Sequence, residues 1–209
     1  MLDHLPSPRT VSGIAAMHSA DQCWEASIHE LTATQLHLFR WHLLRLEGDC
    51  RRARFGNPTS DTFLQTYADR LDLANTRVFG CSIDGHIRGA VELRSLRPVW
   101  CTEAELAFSV EKPWRARGVG TALMLRAIAG ACELGIDRLF LSCHAFNRPM
   151  QRIAERFAAK MVFEDGECLA DIAVHREPIA PILAQQPGSD GVLALHLCCL
   201  LYTSPSPRD

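Results

Sequence analysis

Two glycines and two arginines stand together in Arg115-Ala116-Arg117-Gly118-Val119-Gly120-Thr121, between an alternating segment, Ala104 to Val110, and an apolar run that reaches Leu134. Glycine lets a backbone turn tightly and approach a ligand, and the N–H groups that open the following helix have no partner within it. Such a turn suits negatively charged oxygens, so it reads as a cradle for a pyrophosphate. Just upstream, Glu105 is the one carboxylate of the alternating segment, and a carboxylate there can take a proton from a nucleophile.

Two familiar phosphate-binding patterns do not fit. An ATPase-type loop, G-x-x-x-x-G-K-S/T, needs the lysine and hydroxyl that hold phosphate and magnesium, and both are missing. A dinucleotide turn, G-x-G-x-x-G/A, would need a small residue where Leu123 stands, and the next strand closes in Cys143-His144-Ala145 without an acid to hold a ribose. Metal chemistry has little to stand on. Of nine cysteines, Cys23, Cys50, Cys81, Cys101, Cys132, Cys143 and Cys168 are scattered singly with no C-x-x-C pair, and the nine histidines are equally dispersed. Buried free thiols in a reducing cytoplasm are the expectation, with no metal site.

The 209 residues are 47% hydrophobic and 22% charged, enough for one well-buried core and too few for two comfortable domains. A formal net charge of −2 argues against a broad nucleic-acid footprint, and no run reaches membrane-spanning length, so no nucleic acid and no membrane is expected as a partner. The opening residues, with Asp3, His4 and Arg9, lack the apolar centre of a secretory signal, which points to a cytoplasmic protein. At the other end, residues 199–209 resemble the translation of a sequencing adapter and are set aside; Tyr202 is then no functional residue. The expected organisation is a loose extension or late-docking arm over 1–31, one domain over 32–178, a C-terminal segment over 179–198, and this tail.

The elements that must position the glycine turn are legible from periodicity. Gln35 to Leu46 places apolar residues at helical spacing behind Thr34 as an N-cap, and Phe63 to Leu71 does so behind Ser60 and Asp61. Arg77 to Ile83 and His86 to Leu93 read as strands joined by Asp84-Gly85, a two-residue hairpin turn. Ala104 to Val110 is a strand, a helix runs from about Gly118 to Leu134 and stops at Gly135, and Arg138 to Cys143 is a further strand. Asn147 and Pro149 open a helix to about Ala158, followed by a hairpin of Met161 to Glu164 and Glu167 to Val174 around Asp165-Gly166. The expected fold class is mixed, α/β in the α+β sense, with a central sheet flanked by helices.

Arg115, Gly118 and Gly120 after a strand meet R/Q-x-x-G-x-G/A, which resembles the acetyl-CoA pyrophosphate motif of the GNAT superfamily of N-acyltransferases. Ala104-Glu105-Leu106-Ala107-Phe108, Arg51-Arg52-Ala53-Arg54-Phe55, and Asn147 with Met150, Ile153 and Ala154 resemble three further elements of a branch that includes bacterial protein lysine acetyltransferases. The likeness covers about Thr32 to Val174. It implies a GNAT fold and acetyl-CoA as co-substrate. Backbone groups of Phe108, Ser109 and Val110, on a strand splayed from its neighbour, would pair with the pantetheine arm. Amides of Arg117, Gly118, Val119, Gly120 and Thr121, together with Ala116 in the turn, would take the pyrophosphate, Arg115 and Arg117 would add charge, and Asn147 would complete the cofactor site.

Transfer to an amine requires the neutral form, whereas a lysine amine has a pKa of about 10.4. In the resembling branch the residue matching Glu105 is the general base, and a carboxylate on an otherwise apolar strand is poorly solvated, which suits that role; alternation places it with Ala107 and Ser109. The leaving thiolate, with a pKa of about 8.5, needs little acid help. The tyrosine that many relatives place seven residues after the asparagine is Ala154 here, so water or Ser142 would substitute, with His144 a further candidate for proton transfer and Cys143 a weaker one for carrying the acyl group. Trp41, Trp100 and Trp114 could wall the acceptor pocket or simply pack the core. The resemblance favours a protein lysine as acceptor; a small-molecule amine and a non-catalytic acyl-CoA sensor remain the alternatives. The oligomeric state is not legible.

Overall fold

A computed structural model describes residues 14–19, 22–96 and 102–174, with side chains from residue 26 onward. Eight strands form one sheet in the order β1-β2-β3-β4-β5-β6-β8-β7: β1 Ile14–Ser19, β2 Gln22–Glu30, β3 Thr76–Ile83, β4 His86–Ser95, β5 Glu103–Val110, β6 Arg138–His144, β7 Lys160–Glu164 and β8 Glu167–Ala173. Neighbours are antiparallel except β5 and β6, so the mixed sheet is as expected from the sequence. Both anticipated hairpins close through residues in left-handed backbone: Asp84 and Gly85 at φ 50 and 76°, Asp165 and Gly166 at φ 49 and 79°. These are the angles of the primed turns that match strand twist.

Among the described residues five helices cover the sheet: α1 Leu36–Arg45, α2 Gly48–Phe55, α3 Asp61–Asp69, α4 Val119–Glu133 and α5 Arg148–Arg156. Two cores result, one on each face. Phe39 and Leu43 of α1 and Leu64 and Ala68 of α3 pack on Val78, Ile87 and Ala90. On the other face the apolar stripe of α4, including Leu123, Ala127 and Ala131, packs with α5 on Phe79, Val91, Leu93, Leu106 and Leu139. The α4 helix can lie close because Gly130 faces the sheet: a Cβ there would stand 2.6 Å from Phe79 Cζ. It ends as its sequence indicates, with Gly135 at φ 72° and Ile136 N–H donating back to the Ala131 carbonyl at 2.9 Å.

Three expectations differ. The extension over 1–31 is not loose where it is described, because β1 and β2 extend the sheet, β2 pairing with β3 from Ala26↔Ile83 to Glu30↔Phe79. The first helix begins at Leu36 behind a short 3₁₀ turn, Ala33–Gln35, and it is Thr32, not Thr34, that opens it, its N–H donating to Gln35 Oε1 at 3.1 Å. Helix α2 has no apolar periodicity to announce it: Arg51 holds it by donating to the carbonyls of Leu44, Leu46 and Thr59. Residues 175–209, including the adapter-like tail and Tyr202, and Trp100 lie outside the described residues.

Candidate active site

Strands β5 and β6 run parallel but pair only where Glu103–Glu105 meets Arg138–Phe140. Beyond Glu105 they part, β5 continuing to Val110 in register with β4 alone. The parting leaves backbone N–H and C=O groups of β5 facing a gap, and in a folded protein such groups need a partner. Over the gap on one side lies α2; from the other side come the start of α5 and the turn before α4.

Two adjoining cavities occupy this place. The first, of about 230 Å³, is lined by Arg54, Glu105, Phe108, Ser142, His144 and Glu167 among others. The second, of about 140 Å³, is lined by Phe108, Ser109, Val110, Arg115, Ala116, Gly120 and Asn147, with Cys50 and Ile153 beside them. The expected cofactor residues that line the second cavity are therefore brought together, and the expected base stands in the first. Arg117, Gly118, Val119 and Thr121 line neither. Arg117 sits over the Trp114 ring at 5.3 Å, Gly118 turns the chain into α4 at φ 82°, and Val119 is buried against Gly89. The turn carries a second left-handed residue, Ala116 at φ 56°. A backbone curled in this way aims successive N–H groups into one concavity, and the α4 N-terminus adds its dipole, so the residues present fit an anionic pyrophosphate.

Two expected contacts are partly engaged already. Arg115 Nε donates to the Val110 carbonyl at 3.1 Å, fixing the turn to the end of β5. The Asn147 side-chain oxygen accepts from Met150 N–H at 3.3 Å and so caps α5.

Glu105 is half-buried, and its carboxylate has no hydrogen-bond or ion-pair partner among the described residues. An unpaired carboxylate in a cavity wall is costly to keep, and its value lies in what the cavity takes up. As strand alternation requires, Glu105, Ala107 and Ser109 share the face covered by α1 to α3, and the pairings Glu105↔Phe140 and Ser142↔Leu169 put Ser142 on that face too. Ser142 Oγ donates to Glu167 Oε2 at 3.1 Å. His144 reaches the cavity, whereas neither Trp41, which is 54% exposed, nor Trp114 lines it. Cys143 lies in the wall opposite Cys168, and burial pushes its thiol up to about 12, which keeps it protonated and a poor nucleophile.

Sequence reasoning missed two buried polar clusters behind the cavities. In one, His42 Nε2 meets Ser109 Oγ at 2.9 Å and its Nδ1 meets Glu111 Oε1 at 3.2 Å, while Arg45 Nε at 2.9 Å and Arg88 Nη1 at 3.0 Å also donate to Glu111. Burial lowers the His42 pKa and outweighs the opposing pull of Glu111, so the ring is neutral, donating from Nδ1 and accepting from the serine. Burial would raise the Glu111 carboxyl, but hydrogen bonds from His42 and Arg45 prevail and hold it below the usual range. In the other cluster, Arg54 Nη2 donates to Glu92 Oε1 and, at 3.0 Å, to Tyr67 Oη, which itself donates to Glu92 Oε2 at 2.5 Å. Burial opposes the charge on Arg54, and the neighbouring Glu92 more than restores it. Burial, with the Glu92 charge behind it, pushes Tyr67 up to about 12, so it acts as a neutral donor. Partners 13 to 69 residues apart leave no local signal.

Among the described residues no group of His, Cys, Asp and Glu could hold a metal ion, and no helix is long and apolar enough to cross a membrane. Residues 40–159, more than half of the chain, match the family model described as Acetyltransferase (GNAT) family. Among solved structures the chain is similar to the GNAT domain of S. lividans PAT, at 19% identity and TM-score 0.67 over 80% of this chain and 99% of that one. It is similar also to the PaiA N-acetyltransferase from Thermoplasma acidophilum in complex with coenzyme A, at 14% identity and TM-score 0.55 over 71% and 98%. The ribosomal-protein-S18-alanine N-acetyltransferase from Escherichia coli matches at 17% identity and TM-score 0.53 over 73% and 96%. These likenesses are of fold, and no curated protein sequence matches. With the family model spanning the glycine turn, the splayed strands and the capped α5, the chain belongs to the GNAT family of acetyltransferases and uses acetyl-CoA as its co-substrate.

Proposed function

We propose that the protein transfers the acetyl group of acetyl-CoA to a lysine side chain of another protein, with Glu105 as general base. The observation that carries this reading is the unpaired, half-buried Glu105 carboxylate in a cavity that adjoins the cofactor cavity. The ammonium form of the acceptor enters a wall that holds two carboxylates, Glu105 and Glu167, and gives a proton to Glu105 directly or through water. The free nitrogen lone pair attacks the thioester carbon, a C–N bond forms, the C–S bond breaks, the new amide nitrogen gives its second proton to water, and the CoA thiolate leaves and later takes a proton from water or Ser142. Phe108, Ser109 and Val110 align the pantetheine arm and the turn from Arg115 to Thr121 holds the pyrophosphate, which makes the reaction effectively intramolecular. A protein lysine is favoured by the three motif likenesses to the lysine acetyltransferase branch. A small-molecule amine is the second reading, supported by a cavity of about 230 Å³, room enough for a small amine in its entirety.

We place the reaction in the cytoplasm, in keeping with buried free thiols at Cys50, Cys81, Cys143 and Cys168. The test is thiol release from acetyl-CoA across a panel of lysine peptides and small amines, with Glu105→Gln as the paired variant. The reading expects release on lysine peptides and a loss of about 10²- to 10⁴-fold in the variant, with acetyl-CoA binding retained. Release on small amines alone would move the acceptor to the second reading. Binding with no release on any acceptor would turn the domain into an acyl-CoA sensor.

A further inference from the structure

Arg54 stands where the two cavities meet. The described residues common to both walls are Ala53, Arg54, Phe108, Asn147 and Met150, and Arg54 alone among them carries a charge. On one side lies Glu105, the proposed base; on the other lies the proposed cofactor channel. The thioester must sit at that junction if an amine held near Glu105 is to attack it.

The guanidinium is held rigidly there. Its Nη2 is bound by Glu92 and by Tyr67 Oη, and Arg94 Nη2 steadies the same tyrosine at 3.2 Å. Glu92, only 2% exposed and on β4, lines neither cavity, so the pair is ordered with the carboxylate behind and the cation in front. Among the described residues all side-chain hydrogen bonds of Arg54 leave from Nη2; its Nε is buried without a partner, and its Nη1 donates to no residue. Burying such a pair contributes little to stability, since desolvation offsets most of the attraction. A buried cation kept at a cavity wall, braced from behind and short of acceptors, calls for an acceptor in front.

We infer that Arg54 is a catalytic residue that faces the thioester carbonyl oxygen and stabilises the negative charge it gains during acyl transfer. This rests on the acetyl-transfer reading. As nitrogen attacks the carbonyl carbon, the C=O π pair moves onto oxygen; when the C–S bond breaks, the pair returns and the sulfur leaves with the bonding electrons. A fixed cation beside that oxygen interacts more strongly with the charged transition state than with the neutral thioester, so it speeds the chemical step without tightening substrate binding. Glu92 and Tyr67 are positioning residues that act through Arg54.

The first readout needs no acceptor: the infrared carbonyl stretch of [1-¹³C]acetyl-CoA bound to the wild-type protein. Polarisation by Arg54 predicts a shift to lower frequency than in water-free reference solution, and an unshifted carbonyl would overturn the inference whatever the acceptor is. The second readout uses Arg54→Gln/Glu92→Gln, which removes both charges together and so leaves no lone buried carboxylate. Expected are an acetyl-CoA dissociation constant within about 3-fold of wild type, a kcat lower by about 10²- to 10³-fold, and loss of the carbonyl shift. A folded double variant that keeps its kcat or its carbonyl shift would overturn the inference. If the double variant does not fold, Arg54→Lys takes its place, with a smaller carbonyl shift expected because a point charge replaces the planar fork; an unchanged shift would overturn it. Failure of wild type to release thiol on any acceptor would instead count against the acetyl-transfer reading and leave the carbonyl measurement standing.

Discussion

Glu111→Gln removes the anion on which the end of β5 is hung. The wild-type carboxylate takes three donors, His42 and Arg45 on Oε1 and Arg88 on Oε2. A glutamine keeps one acceptor oxygen and turns the other position into an NH₂ group, which points a donor at whichever donors it faces. Two of the three lost or weakened bonds come from guanidinium groups, and a hydrogen bond to a charged group contributes about 1.5–3 kcal/mol. Arg45 and Arg88 are themselves partly solvated, so water takes up some of the loss and about 3 kcal/mol is the expected cost. At about 2–4 °C per kcal/mol for a chain of this size, Tm should fall by about 6–12 °C in a thermal melt near neutral pH. The pH dependence has a definite sign. The Glu111 carboxyl is depressed in the folded state, so its contribution is full above the unfolded value of about 4.3 and fades as pH falls through the lower folded value. His42 is held neutral, so below its unfolded value of about 6.5 the unfolded chain binds a proton that the folded chain refuses, and stability falls there too. The wild type should therefore lose stability from about pH 6.5 downward, and the gap between wild type and variant should narrow below about pH 4. A variant melting within about 2 °C of wild type at neutral pH would refute the reasoning.

Gly120→Glu should abolish acetyl-CoA binding in a calorimetric titration while the fold survives. The new Cβ would meet only the flexible Ile153 Cδ1 at 2.7 Å, but the carboxylate enters the anion cradle. Gly89→Ala should act through packing, because its Cβ would stand 2.8 Å from Val119 Cγ1 and 3.2 Å from Leu123 Cδ1 and push the start of α4 off β4. The expected loss is about 1–3 kcal/mol in denaturant titration with weaker acetyl-CoA binding alongside, and unchanged binding would disconnect that packing from the site. Ser60→Ala should cost about 1 kcal/mol, since Ser60 Oγ accepts from Phe63 N–H at 3.2 Å at the start of α3, and an unchanged melt would deny the cap its role.

What could be read from the sequence was whatever depends on local order. The primed turns at Asp84-Gly85 and Asp165-Gly166, the cap at Ser60, the stop at Gly135 and the alternation that carries Glu105 each involve a few adjacent residues, and each is found where expected. The α2 helix was hidden because it is held by Arg51 bonding to carbonyls in neighbouring turns, with one buried residue, Cys50, and hence no apolar period. The Glu111 cluster joins α1 to β4 and the end of β5, the Glu92 cluster joins α2 and α3 to β4, and only the folded sheet brings them together. Thus the glycine turn and the carboxylate were legible, whereas the charge that stands between them, Arg54, was visible only as one letter of a motif.

The most direct test of the account is the crystal structure of the protein with coenzyme A. The account predicts the pantetheine arm between β5 and β6 beside Phe108 to Val110, the pyrophosphate against the turn from Arg115 to Thr121, and the sulfur at the junction near Arg54. Coenzyme A bound elsewhere, or strands β5 and β6 closed over the gap with the ligand excluded, would contradict it.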